Sequence, residues 1–134
     1  MNDADSMIAC LSAIGDADID IVPIVFERFF ATYPEHRDEF INIEAASGRM
    51  TNETIEALVG LATDEYWVPT TIINFVDLHR NYGSYNASLY AAWIDIVIDV
   101  VRESTGDNWH PSHEAAWQRQ AKRLVTMIDK ACLR

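Results

Sequence analysis

The chain has 134 residues, of which 49% are hydrophobic, and a formal net charge of -11 at pH 7. This length fits one domain with one core, and a disordered chain would lack such apolar content. The ten Lys and Arg residues are scattered, whereas a nucleic-acid groove needs them clustered. We therefore expect no nucleic-acid partner and interpret the acidity as a property of a solvated surface.

The sequence also argues against membrane and disulfide-rich classes. No apolar run reaches the length of about 18 residues that a transmembrane helix needs. The start of the chain is acidic, unlike a secretory signal, so a cytoplasmic protein is predicted. Two cysteines, Cys10 and Cys132, are too few for a disulfide framework or a zinc site, and free thiols are expected.

Helical periodicity is strong along the chain and strand signals are weak. The pattern predicts an all-α fold with about seven helices, two of them short. The predicted elements, in chain order, are helices over 5–14 and 18–33, a short turn over 35–40, helices over 51–63 and 70–80, a long helix from 86 or 88 to about 104, and a last helix from about 112.

Glycines set several of the predicted boundaries. Gly15 is expected to end the first helix, and Gly83 to end the helix over 70–80. Ser47 and Gly48 predict a break within an irregular connection over 41–49. The helix that begins near residue 86 is apolar on most sides, so we expect it to be central and buried.

Three short motifs follow one another at characteristic distances. Residues 29–40 combine an aromatic pair, Pro34-Glu35, a basic residue and Phe40. An apolar helical face ends at His79, and Gly83 follows. Ala116-Trp117 opens the last predicted helix.

The order and spacing of these motifs resemble single-domain bacterial globins related to the haem domain of flavohaemoglobins, over residues 21–127. The resemblance implies one globin domain over residues 1–134, in which the helices pack around a pocket for haem b. It also implies that His79 is the proximal ligand of the iron. Haem iron in globins takes one neutral imidazole in an apolar pocket, which fits the end of an apolar helix. The alternative is a hydrogen-bonded or surface histidine at a helix end.

The resemblance further implies the residues that line the pocket. Phe40 matches the phenylalanine that stacks on the haem. The family's spacing, counted from Phe40 and from His79, reaches Met50 as the distal residue. Met50 is predicted either to ligate the iron through its thioether or only to line the pocket. The other predicted pocket residues are Phe26, Thr54, Phe75, Tyr85 and Tyr90, with Tyr85 equally compatible with the core.

The chain also differs from the globins that it resembles at positions that affect gas binding and catalysis. Phe26 and Met50 stand where relatives place hydrogen-bond donors, so weaker discrimination in favour of O2 is expected. Cys132 stands where NO-consuming relatives place a glutamate, which argues against NO dioxygenation. Peroxidase activity is disfavoured because the predicted distal set has no acid-base group. Arg49 and Arg80 either pair with the haem propionates or face solvent.

The sequence thus predicts a globin that binds a diatomic gas reversibly, with O2, NO and CO as candidates, for transport or sensing. A separate reductase is an expected partner, and the protein is expected to be a monomer or a homodimer without membrane contact. The alternative is a haemless globin-like module that regulates through protein contacts.

Overall fold

A computed structural model describes residues 2–80 and 86–133, and six α-helices account for most of them. No strand occurs in these two ranges, which confirms the all-α prediction. The helices are α1 (Asp3–Asp16), α2 (Ile21–Thr32), α3 (Ile43–Ala62), α4 (Val68–His79), α5 (Ala87–Thr105) and α6 (Pro111–Cys132). A 3₁₀ segment over Pro34–Glu39 joins α2 to α3, and another over Gly106–Asn108 joins α5 to α6.

Polar side chains cap the start of four helices. In each case a carboxylate or amide oxygen accepts a backbone N–H of the first turn, at 2.8 to 3.1 Å. Such a bond satisfies a donor that has no partner inside the helix. The four caps are Asn2, Asp20, Asn42 and Asn86.

The start of α3 corrects the predicted connection over 41–49, which is wrong. Asn42 accepts the N–H of Ala45 at 3.1 Å and so begins the helix eight residues before the predicted position 51. Gly48 lies inside α3, where its cost relative to alanine is only about 1 kcal/mol. An N-terminal cap and a long buried face outweigh that cost, so the glycine does not break the helix.

Two further boundaries differ from prediction. Helix α1 continues past Gly15, and the left-handed turn is made instead by Asp18, with a φ of 59°. Helix α4 begins at Val68, with Pro69 in its first turn, where the missing N–H of proline costs nothing. The expectations for Gly83 and Tyr85 lie outside the described residues.

Helix α5 is central, as its apolar surface predicted. It packs against α1, α2, α3 and α6, while α6 also packs against α1, α3 and α4. Buried apolar side chains from all six helices form one continuous cluster, in which Trp117 of α6 is completely enclosed. No helix in the described ranges combines the length and apolar character that crossing a membrane requires.

Candidate functional site

A cavity of about 260 Å³ lies between α3, α4 and α5, next to the 3₁₀ segment that follows α2. This volume lies just below the range of about 300 to 1,000 Å³ that is usual for small-molecule sites. We call the lining residues from α3 the α3 wall: Ala45, Ala46, Arg49, Met50 and Glu53. We call those from α4 the α4 wall: Phe75, Leu78 and His79. The remaining lining residues are Phe29, His36, Glu39, Phe40, Ile41, Asn42, Leu89, Tyr90 and Trp93.

Contacts from both α4 and α5 hold the imidazole of His79, which lies in the last turn of α4. Its Nδ1 lies 2.7 Å from the carbonyl oxygen of Phe75. The Phe75 ring lies 4.3 Å away between centroids, and the Tyr90 ring meets the imidazole edge to face at 5.7 Å. Because a carbonyl only accepts, Nδ1 carries the proton, and in the neutral ring the lone pair is on Nε2. In this tautomer Nε2 can bind a metal while the Nδ1–H bond to the carbonyl orients the ring.

The cavity also favours the neutral form of His79. Burial lowers the pKa of His79 below its ordinary value of 6.5, and the charge of Arg49 lowers it further. The bond to the Phe75 carbonyl and the carboxylates of Glu53 and Glu39 act in the opposite direction. Desolvation is the largest of these effects, so the imidazole is neutral at pH 7.

A hydrogen-bonded relay runs behind the α3 wall. The indole Nε1 of Trp93 donates to Thr54 Oγ1 at 2.9 Å in a buried position. Thr54 Oγ1 in turn donates to the backbone carbonyl of Met50 at 2.8 Å. The relay therefore links α5 to α3 at the turn that carries Met50.

Five predicted pocket residues meet around this cavity, and two do not. The five are Phe40, Met50, Phe75, His79 and Tyr90. Thr54 is turned toward Trp93, in the relay, and is not a lining residue. Phe26 is not a lining residue either. Its ring centroid lies 5.6 Å from that of Phe40 and 5.1 Å from that of Trp93. The predicted placement of Phe26 and Thr54 on the cavity surface thus differs from the structure, and Tyr85 lies outside the described residues.

Phe29 takes the place expected for Phe26. Both rings are buried and both lie within 5.4 Å of Trp93, but only Phe29 lines the cavity. Residues three apart on a helix point in nearly the same direction, so the sequence defined this face of α2 without selecting the residue. Which of the two phenylalanines lines the cavity depends on the position of Trp93 on α5.

Sequence reasoning missed three titratable residues of the cavity lining, His36, Glu39 and Glu53, whereas it had named Arg49. His36 and Glu39 both line it, with His36 Nδ1 3.1 Å from Glu39 Oε1. Their spacing was a usable signal, because residues three apart eclipse in a 3₁₀ helix. Arg49 and Glu53 are one turn apart on α3, on either side of Met50, and helical periodicity from Met50 would have found Glu53.

Within residues 2–80 and 86–133, no group of three or more His, Cys, Asp or Glu side chains is arranged to hold a metal ion. Comparison of the chain with protein-family models, with curated proteins and with solved structures found no match. The interpretation of the site therefore depends on its geometry and chemistry.

Proposed function

We propose that the chain is a haem-binding globin in which His79 ligates the iron and a diatomic gas binds reversibly. The observation that carries the proposal is the neutral His79 imidazole, fixed by the Phe75 carbonyl in the wall of a mainly apolar cavity. The order of the helices, with a 3₁₀ turn after α2 and the histidine at the end of α4, supports the same proposal.

The residues around the cavity fit a haem. A porphyrin supplies four ligands to its iron, so a single imidazole suffices and a cluster of three protein ligands is not required. Phe40 and Phe75 offer aromatic surfaces to an apolar ring system, and Leu78 and Leu89 extend the apolar lining. When bound, the haem iron supplies the position at which a diatomic gas is held. The chain's own part is to place the imidazole and to shape the space around it.

The α3 wall changes the expectation for gas selectivity. The N–H of Trp93 is occupied by Thr54, so it is not the donor that a bound gas would meet. Arg49 is an exposed residue of the cavity lining, and its guanidinium is a charged donor. Phe26 and Met50 have no strong donor, and the Thr54 hydroxyl already donates to the Met50 carbonyl. We therefore propose that Arg49, and not Met50, determines how strongly a bound gas with negative charge is retained.

Glu53 affects the argument against enzymatic activity. Peroxidase chemistry was disfavoured because the predicted distal set offered no acid-base group. Glu53 supplies a carboxylate on the α3 wall, so that argument no longer holds. Reversible gas binding remains the proposed function because it requires only the histidine and the cavity.

A hemin titration followed by absorption spectroscopy tests the proposal. We expect one hemin per chain, a strong Soret band, and a shift of that band when the reduced protein is exposed to CO. Replacing the axial ligand, His79→Ala, should weaken hemin binding by more than about 100-fold. His110→Ala is the matched control, because His110 is exposed and distant in sequence from every lining residue, and it should bind hemin as the wild type does.

Two outcomes of the hemin titration would contradict the proposal. A folded wild-type protein that takes up no stoichiometric hemin would overturn the proposal and make the haemless regulatory module the leading interpretation. Equal hemin affinity in the wild type and the His79→Ala variant would show that another residue holds the iron.

A further inference from the structure

Arg80 directly follows His79 and bridges the ends of two helices. Its Nη2 donates to the backbone carbonyl of Ala131 at 2.8 Å and to that of Cys132 at 3.3 Å. Its Nη1 contacts Asp77 Oδ1 at 2.6 Å, one turn back on α4. One side chain thus joins the last turn of α4 to the last turn of α6.

The chemistry of helix ends explains why an arginine stands there. The last carbonyls of a helix have no partner within it, and they form the negative end of the helix dipole. Helix α4 ends at His79 and α6 ends at Cys132, so a cation at Arg80 lies at both negative ends. A planar guanidinium donates in several fixed directions at once, which a lysine cannot do.

Helix α6 also packs against α5, the helix that carries Tyr90. Burial is the largest of the effects that raise the pKa of Tyr90 to about 12, and the charge of Arg80 acts in the opposite direction. Because α5 and α6 pack together and the Tyr90 ring on α5 contacts the imidazole, a shift of α4 against α6 would displace His79 relative to that ring.

We propose that Arg80 is the positioning residue for His79. By tying the end of α4 to the carbonyls of Ala131 and Cys132, it fixes the orientation of the imidazole in the cavity. This role is independent of the two alternatives that the sequence left open, in which Arg80 pairs with a haem propionate or faces solvent. The consequence for haem rests on the proposed function, whereas the consequence for His79 itself does not.

The test compares Arg80→Ala with Arg123→Ala in the haem-free protein. Arg123 is a close match, because its Nη1 donates to a helix-end carbonyl, Leu61 O, at 2.8 Å and to a residue three positions back, Gln120. Arg80→Ala should speed amide exchange over residues 76–80 by about tenfold and should mix the two imidazole tautomers of His79 in a nitrogen NMR spectrum. Arg123→Ala should leave both measurements at their wild-type values.

The haem-loaded protein adds a second measurement. If it forms, the iron–histidine stretching band in the resonance Raman spectrum should shift or broaden in Arg80→Ala and stay unchanged in Arg123→Ala. Arg80→Lys keeps the charge but not the planar fork, and should restore the wild-type tautomer only in part. If the wild type binds no hemin, the proposed function fails, while the exchange and tautomer measurements still decide the role of Arg80.

A single wild-type tautomer of His79 in Arg80→Ala, or equal changes in both alanine variants, would overturn the proposal. Should Arg80→Ala not fold, Asp77→Ala provides the same test, because it removes the carboxylate that accepts from Arg80 Nη1 and helps to orient the guanidinium. That variant should change the same two measurements in the same direction by a smaller amount, and no change would again overturn the proposal.

Discussion

The α4 wall and the α3 wall face the same cavity but are held by different means. On the α4 wall, the His79 ring is fixed by a hydrogen bond and two aromatic contacts, and Arg80 ties the helix end to α6. On α3, two buried hydroxyls, Ser47 Oγ and Thr51 Oγ1, have no hydrogen-bond partner among the described residues. The comparison indicates that hydrogen bonds fix the position of the α4 wall. Apolar packing and the hydrogen-bonded relay through Thr54 fix the position of the α3 wall.

The largest effect is expected from breaking that relay. Thr54→Val keeps the side-chain shape but leaves the buried Trp93 N–H without an acceptor, which should cost about 1 to 3 kcal/mol of unfolding free energy. Urea unfolding measures this loss, and the His79 tautomer in the NMR spectrum should stay unchanged because the α4 wall is held separately.

Thr63→Val is the control for this variant. Thr63 Oγ1 also donates to the carbonyl four residues back, Val59 O, but it is exposed, so the change should stay within about 0.5 kcal/mol. Equal losses in the two variants, or a change in the His79 tautomer in Thr54→Val, would contradict the separation of the two walls.

A smaller loss of unfolding free energy is expected from a substitution where α3 and α4 approach each other. A Cβ on Gly60 of α3 would lie 2.8 Å from Val68 Cγ2 and 3.1 Å from the Trp67 ring, at the start of α4. Val68 is fully buried, so one helix must move, and Gly60→Ala should cost about 1 to 2 kcal/mol. The measurements are urea unfolding and the hemin affinity, which should fall as the spacing of the walls changes.

Gly48→Ala is the matched control on the same helix. A Cβ there meets nothing within 4 Å, so the substitution should stabilise the protein by about 0.5 to 1 kcal/mol through helix propensity alone. If Gly60→Ala were also stabilising, the close approach of α3 and α4 would not constrain the cavity.

The pH dependence of stability tests the α4 wall alone. Because burial lowers the pKa of His79 below 6.5, the unfolded chain binds more protons than the folded chain in acid. The contribution of the neutral imidazole is therefore fully present above pH 6.5 and is lost as the pH falls toward the folded pKa. Urea unfolding of the wild type and of His79→Gln between about pH 5 and pH 7.5 should show this loss in the wild type only. Parallel curves for the two proteins would show that His79 is not buried in its neutral form.

The smallest effect is expected at Met50. Met50→Leu conserves volume at a half-buried position, so stability should change by less than about 1 kcal/mol. If Met50 only lines the cavity, the ferric absorption spectrum of the haem-loaded protein should also stay unchanged. A low-spin wild-type spectrum that becomes high-spin in the variant would instead identify Met50 as an iron ligand.

Much of the helical framework could be predicted from the sequence. The apolar face of α5 predicted its central place, and the cap at Asn86 was one of the two predicted starts. The break at Ser47 and Gly48 was wrong because a local breaker was weighed without the cap at Asn42 and without the buried face of α3. Local preferences of this kind amount to about 1 kcal/mol, and tertiary burial overrides them.

By itself, the sequence determined the all-α class, the position of His79 at a helix end and the apolar content of the future cavity walls, because these follow from periodicity and residue type. Only the tertiary structure decided which side chains meet. The crossing of α3 and α5 turned Thr54 toward Trp93. The packing of the 3₁₀ segment against α2 brought Phe40 onto the Phe26 ring. The close approach of α4 and α6 brought Arg80 to the carbonyls of Ala131 and Cys132. Such contacts join residues far apart in the chain, and no local pattern encodes the relative placement of two packed helices.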